Sequence, residues 1–109
     1  MTAVAAPSAS LDAGTWDAAT DELVRTLREL IRIRSVNPPL PDAPDGELHA
    51  ARWIAAYLTD LGLEPEIVEP FPGRGSVHAR LRGDGTAGDP LLLLSHLDVV
   101  PAPPGKMAA

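Results

Sequence analysis

His96 and Asp98 are the residues best placed by type and spacing to do chemistry. They follow four consecutive leucines in the stretch Leu91-Leu92-Leu93-Leu94-Ser95-His96-Leu97-Asp98-Val99-Val100-Pro101. The leucine run is too short for a helical core, and Pro90 bounds it. Such a short, unbroken apolar run predicts a strand buried on both faces. Two residues apart on an extended backbone, His96 and Asp98 point to the same side, roughly 7 Å apart along the chain. Ligands of open α/β sheets gather beyond the carboxyl ends of the strands, where this pair falls. A histidine there can bind a metal, and a neighbouring carboxylate can hold its other ring nitrogen in one tautomer. The plainer alternative is a histidine that ends a strand and bonds a loop carbonyl, since His-x-Asp alone is a short pattern.

The elements that must position this pair come earlier. Leu23, Val24, Leu27, Leu30 and Ile31 mark one face of a helix. Thr15 or Thr20 is its expected cap, and Pro38 stops it near Ser35. A membrane or partner helix is the weaker reading, because its polar face mixes both signs of charge. A proline-rich loop follows, with Pro38, Pro39, Pro41 and Pro44. Asp42 or Asp45 is the expected cap of a second helix, whose apolar face is Leu48, Ala51, Ile54, Ala55, Leu58 and Leu61. Gly62 is placed to end it. His49, Trp53 and Tyr57 share another stripe of that helix, read as packing rather than as a pocket. Leu63 to Glu69 predicts an edge-like strand and residues 71–75 a turn. Ser76 to Arg82 predicts a half-exposed antiparallel strand with Val77, Ala79 and Leu81 on one face. His78 falls on the other face beside the arginines, a poor place for a cation.

Gly83-Asp84-Gly85-Thr86-Ala87-Gly88 has the spacing G-x-G-x-x-G. A dinucleotide site needs a helix to follow, with its N-terminus on the pyrophosphate. Asp89-Pro90 and the leucine run follow instead, and Asp84 would repel phosphate, so the segment is read as a loop.

The totals narrow the function classes. At 109 residues the chain is at most one domain. It is 45% hydrophobic and 22% charged, a globular composition, and with only 4% aromatics its core must be aliphatic. A net charge of −6 and a pI near 4.8 argue against a nucleic-acid binder. No cysteine is present, so any metal must be held by His, Asp and Glu. The first basic residue is Arg25, so the N-terminus lacks the basic region of a secretory signal. No apolar run approaches the ~20 residues of a membrane span. A cytoplasmic location without membrane or nucleic-acid partners is the expectation.

Leu91 to Pro101 resembles the first metal motif of the co-catalytic zinc peptidases and amidohydrolases. This family includes acetylornithine deacetylase, succinyl-diaminopimelate desuccinylase, aminoacylase and the carboxypeptidase G type. Its motif is an apolar strand, a small residue, His-x-Asp and often Val-Val-Pro. Ser95 stands where glycine is commoner. Ile31-Arg-Ile-Arg-Ser-Val-Asn-Pro-Pro39 also resembles the phrase that ends the family's first helix, a structural stop and turn.

The resemblance implies an α/β fold: the N-terminal portion of a zinc-exopeptidase-like α/β sandwich with a mixed sheet, incomplete, in the order helix, helix, strand, strand, strand. It divides the chain into a flexible tail at 1–14, the N-terminal part of a catalytic metallohydrolase domain at 15–105, and a non-matching end at 106–109. His96 would be a zinc ligand, and Asp98 the catalytic-site aspartate that orients it. The implied reaction is hydrolysis of an N-acyl amino acid or short peptide. Two zinc ions (cobalt or manganese as substitutes) polarise the carbonyl and activate a bridging water, with a glutamate as base. The family's bridging aspartate, Glu pair and further ligands come later in sequence, as does a second, dimerising domain that would make the whole protein a homodimer. The expectation is therefore an N-terminal fragment, inactive alone. The rival is a non-catalytic remnant that retains only the start of the fold as an interaction module.

Overall fold

A computed structural model describes residues 10–37 and 46–102. The expected tail before residue 10, the proline-rich loop with Asp42 and Asp45, and the end beyond residue 102 lie outside the described residues. Two helices, α1 (Ala13–Arg32) and α2 (Leu48–Asp60), precede two strands, β1 (Glu66–Phe71) and β2 (Arg74–His78).

Asp12, rather than Thr15 or Thr20, caps α1. Its carboxylate accepts from the Thr15 backbone N–H at 2.7 Å and from the Thr15 hydroxyl at 2.9 Å. The cap therefore starts the helix at Ala13, well before the apolar stripe begins. That stripe is present but uncovered among the described residues: Leu23, Leu27 and Ile31 are all exposed. The hydroxyl of Tyr57 in α2 donates to Glu22 in α1. This bond raises the phenol above its ordinary pKa, with burial as the second cause.

The small core lies where α2 meets the hairpin, and its buried apolar side chains are Leu48, Ala50 and Ala51. Trp53 and Tyr57 stack one turn apart, with ring centroids 5.6 Å apart. At the end of α2 the Gly62 N–H bonds to Thr59 O and the Leu63 N–H to Leu58 O, with Gly62 at φ +86°. These are the two bonds of a Schellman stop, and the positive φ is what requires glycine there.

β1 and β2 pair antiparallel, as the sequence suggested, but both boundaries shift. The register matches Glu66 with His78, Ile67 with Val77 and Val68 with Ser76, then slips before Phe71 meets Arg74. Only Pro72 and Gly73 make the turn. Proline followed by glycine at φ +78° is the chemistry of a type II turn. That turn type splays hairpin strands, which accounts for the slip. Arg74 and Gly75, expected in the turn, are instead the first residues of β2. The strand stops at His78, and Leu81 is exposed.

The largest correction concerns Leu91 to Leu94. They form no strand among the described residues, and they are 82–90% exposed rather than buried on both faces. A two-faced strand needs a neighbour along each edge and a layer over each face. The hairpin satisfies its own ladder, and the described residues supply neither neighbour nor layer. The third strand of the expected mixed sheet is therefore absent among the described residues. The described residues hold two helices and a two-stranded antiparallel sheet, with one parallel bridge between Val36 and Val99. No helix among the described residues is long and apolar enough to cross a membrane.

Candidate functional site

The Val36–Val99 bridge builds the site. The Asn37 N–H donates to Val99 O at 2.8 Å, and the Val99 N–H donates to Ser35 O at 2.9 Å. Ser35 is buried. This pairing lays the end of the His-x-Asp stretch beside the residues that follow α1. The two segments singled out in the sequence as separate motifs are thus in direct contact.

Their side chains complete the join. Asn37 Nδ2 donates to Asp98 Oδ2 at 2.7 Å. The other carboxylate oxygen, Oδ1, lies 3.3 Å from His96 Nδ1. His96 and Asp98 therefore face the same side, although the backbone that carries them is not a strand. The His96 side chain is 94% exposed and that of Asp98 only 24%. The hydrogen bond from Asn37, followed by the contact with His96, holds the Asp98 carboxyl below the ordinary aspartate pKa. An ionised carboxylate only accepts, so in the neutral ring this contact places the proton on Nδ1 and leaves the lone pair on Nε2.

Two further residues of this network were not singled out in the sequence. Arg74 sends Nη1 to Asn37 Oδ1 and holds Nη2 3.7 Å from Asp98 Oδ2. Its Nε donates to Glu47 Oε1 at 2.9 Å. Glu47 stands just ahead of α2 and is buried, and its Oε2 has no hydrogen-bond partner. Arg74 looked like a turn residue between two glycines, and Asn37 like part of a helix stop. A lone arginine between Gly73 and Gly75, in an otherwise uncharged turn, was the available signal. The other histidines stay apart from the pair: His49 lies on an exposed position of α2, and His78 ends β2, exposed.

The pair fits one metal ligand with its orienting carboxylate. It does not make a zinc site by itself, which takes three or four protein ligands. Among the described residues no group of three or more His, Cys, Asp or Glu could hold a metal ion. The Gly83–Gly88 segment is a loop, as expected. Its Asp84 carboxylate accepts from the Thr86 backbone N–H and hydroxyl, at 2.9 and 2.6 Å, and no helix follows among the described residues.

No family model matches the chain, and no solved structure matches it. A curated relative does: the acetylornithine deacetylase of Vibrio campbellii (strain ATCC BAA-1116), 34% identical over 77 residues. The match covers 71% of this chain and 20% of the relative, so the chain spans about a fifth of the length of the protein it resembles.

Proposed function

We propose that the chain carries the opening, His-x-Asp-bearing part of a zinc-dependent amide hydrolase of the acetylornithine deacetylase kind. Its substrate class is an N-acyl amino acid or a short peptide. The observation that carries this reading is the Asp98 carboxylate, which is held by Asn37 on one oxygen and faces the His96 ring with the other. A histidine so held presents Nε2 as a ligand atom, and the 34% likeness to a deacetylase supplies the reaction class. A zinc pair, where bound, would polarise the scissile carbonyl and lower the pKa of a bound water. The residues of this chain do the preparatory work: His96 offers one nitrogen, and Asp98 fixes the ring that bears it. The remaining ligands and the general base belong to sequence outside the described residues. The chain alone therefore binds zinc no better than a lone surface histidine and hydrolyses nothing. The whole protein is a cytoplasmic homodimer in this reading.

The test is metal analysis and turnover of N-acetylornithine and other N-acyl amino acids by the protein expressed from its complete reading frame. His96→Ala should lose most zinc at one site. Asp98→Asn should keep more metal and lose rate on the order of 10–100-fold. Full zinc content and full activity in the His96 variant would remove the assignment. The lack of a three-ligand cluster among the described residues favours one rival, a non-catalytic module retaining the start of the fold. A stop codon directly after codon 109 would support that rival. A continuing frame with an aspartate motif and a Glu-Glu pair would exclude it.

A further inference from the structure

We infer that Arg74 is the positioning residue of the His96–Asp98 pair, acting through the side-chain amide of Asn37. The inference rests on the functional reading above for its importance, but on geometry alone for its content.

A primary amide has one accepting end and one donating end, and it can turn either toward a carboxylate. Only the donating end is favourable against Asp98. Arg74 enforces the same choice from the other end of the amide. A guanidinium has donors only, so its bond to Asn37 requires the amide oxygen. With Oδ1 taken by Arg74, Nδ2 must face Asp98, where it lies 2.7 Å from Oδ2. The nearby Nη2, 3.7 Å from the same oxygen, adds positive charge on that side. Oδ2 is thereby committed, and Oδ1 is left for the His96 ring.

Arg74 is itself fixed from behind. Glu47 Oε1 accepts from Nε at 2.9 Å, and the Glu47 side chain is only 11% exposed. The Leu48 N–H donates to Gly73 O at 3.3 Å, which ties the start of α2 to the turn that launches Arg74. Each link pairs a donor with an acceptor: Arg74 donates both to Glu47 and to Asn37, Asn37 donates to Asp98, and Asp98 also accepts from the ring. Lysine could not replace the fork, because a single ammonium cannot meet three partners with fixed planar geometry.

The test is the tautomer of neutral His96 in the 109-residue chain, read from its ¹⁵N ring shifts at a fixed pH of about 8, above the ordinary histidine value of about 6.5. Metal is removed beforehand. Asp98→Ala sets the unheld reference, and Arg82→Met, an exposed arginine, is the control. The ratio of Nδ1–H to Nε2–H forms should fall toward the reference in Arg74→Met, on the order of fivefold, the scale on which one net hydrogen bond weights an equilibrium. It should fall similarly in Asn37→Ala and stay at the wild-type value in Arg82→Met. If circular dichroism shows that Arg74→Met has lost its fold, Arg74→Lys replaces it with the same expectation. A wild-type ratio in a folded Arg74 variant overturns the inference. Because the readout is metal-free, failure of the protein to bind zinc would sink the functional reading and leave this result standing.

Discussion

The side-chain amide of Asn37 donates to the carboxylate of Asp98 at 2.7 Å across 61 residues of sequence. Directly alongside, the backbone of Asn37 donates to Val99. One residue thus fixes both the path of the chain that carries the site and the orientation of the carboxylate in it. Asn37→Ala removes the side-chain bond and leaves Arg74 Nη1 and Asp98 Oδ2 short of a partner. The Val99 amide, which donates to Ser35 O, should then lose hydrogen-exchange protection while the amides within α2 keep theirs. Equal protection of Val99 in the variant would show that the backbone bridge stands without the amide.

Gly75 marks the closest approach of the hairpin to α2. A Cβ built there would lie 2.8 Å from Leu48 Cδ1 and 3.7 Å from the Ala51 Cβ. Leu48 is buried, so its methyl has little room to move. Gly75→Ala is expected to destabilise the fold by ~1–3 kcal/mol, the usual cost of overpacking. Urea unfolding of the two proteins measures it, and a wild-type midpoint would mean that Leu48 can change rotamer at no cost.

The cap of α1 gives a pH dependence with a definite sign. Bonds from the Thr15 N–H and hydroxyl hold the Asp12 carboxyl below its ordinary value. A depressed folded-state pKa contributes stability that is fully present above the unfolded value, about 3.9. That contribution is lost as pH falls through the lower, folded value. The helical circular dichroism signal should therefore weaken on acidification below about pH 4, and Asp12→Asn should remove this component while keeping the cap. A titration identical in the two proteins would assign the change to other carboxylates.

Leu91 to Leu94 offer a run of apolar side chains and unpaired backbone to any neighbour. Such a segment is a template for self-association. A Leu92→Lys, Leu94→Lys double variant should raise the soluble, monomeric fraction in sedimentation velocity without changing helix content. No shift in the sedimentation profile would show that the leucines do not drive association.

The sequence made the helices legible because their signals are local. The apolar period of α1 and the glycine that ends α2 depend on residues within a few positions. The antiparallel hairpin was also legible, although its turn was read as ending two residues late, because Arg74 and Gly75 look like turn residues until α2 is seen to pack against them. The leucine run was misread for a different reason. A strand is made by its neighbours, and nothing in four leucines says whether those neighbours are present. His96 and Asp98 drew attention by residue type and spacing, and their side chains do meet. Asn37, Arg74 and Glu47 were invisible as a set, because each of their hydrogen bonds in the network joins residues 27 or more apart and only the folded chain brings them to one place.

The parallel bridge between Val36 and Val99 has a kinetic consequence. It closes a loop of about sixty residues with two backbone hydrogen bonds, whereas α2 and the hairpin touch within a short span of sequence. Closing such a loop costs entropy on the order of (3/2)RT ln n, about 4 kcal/mol at this length. Contacts of long sequence separation form late for that reason. The helix and hairpin assemble first and offer Glu47 and Arg74 already in place, and the His96 segment docks onto them last. On the way out the order reverses, so the site opens as its own small cooperative unit while the scaffold beneath it stays folded.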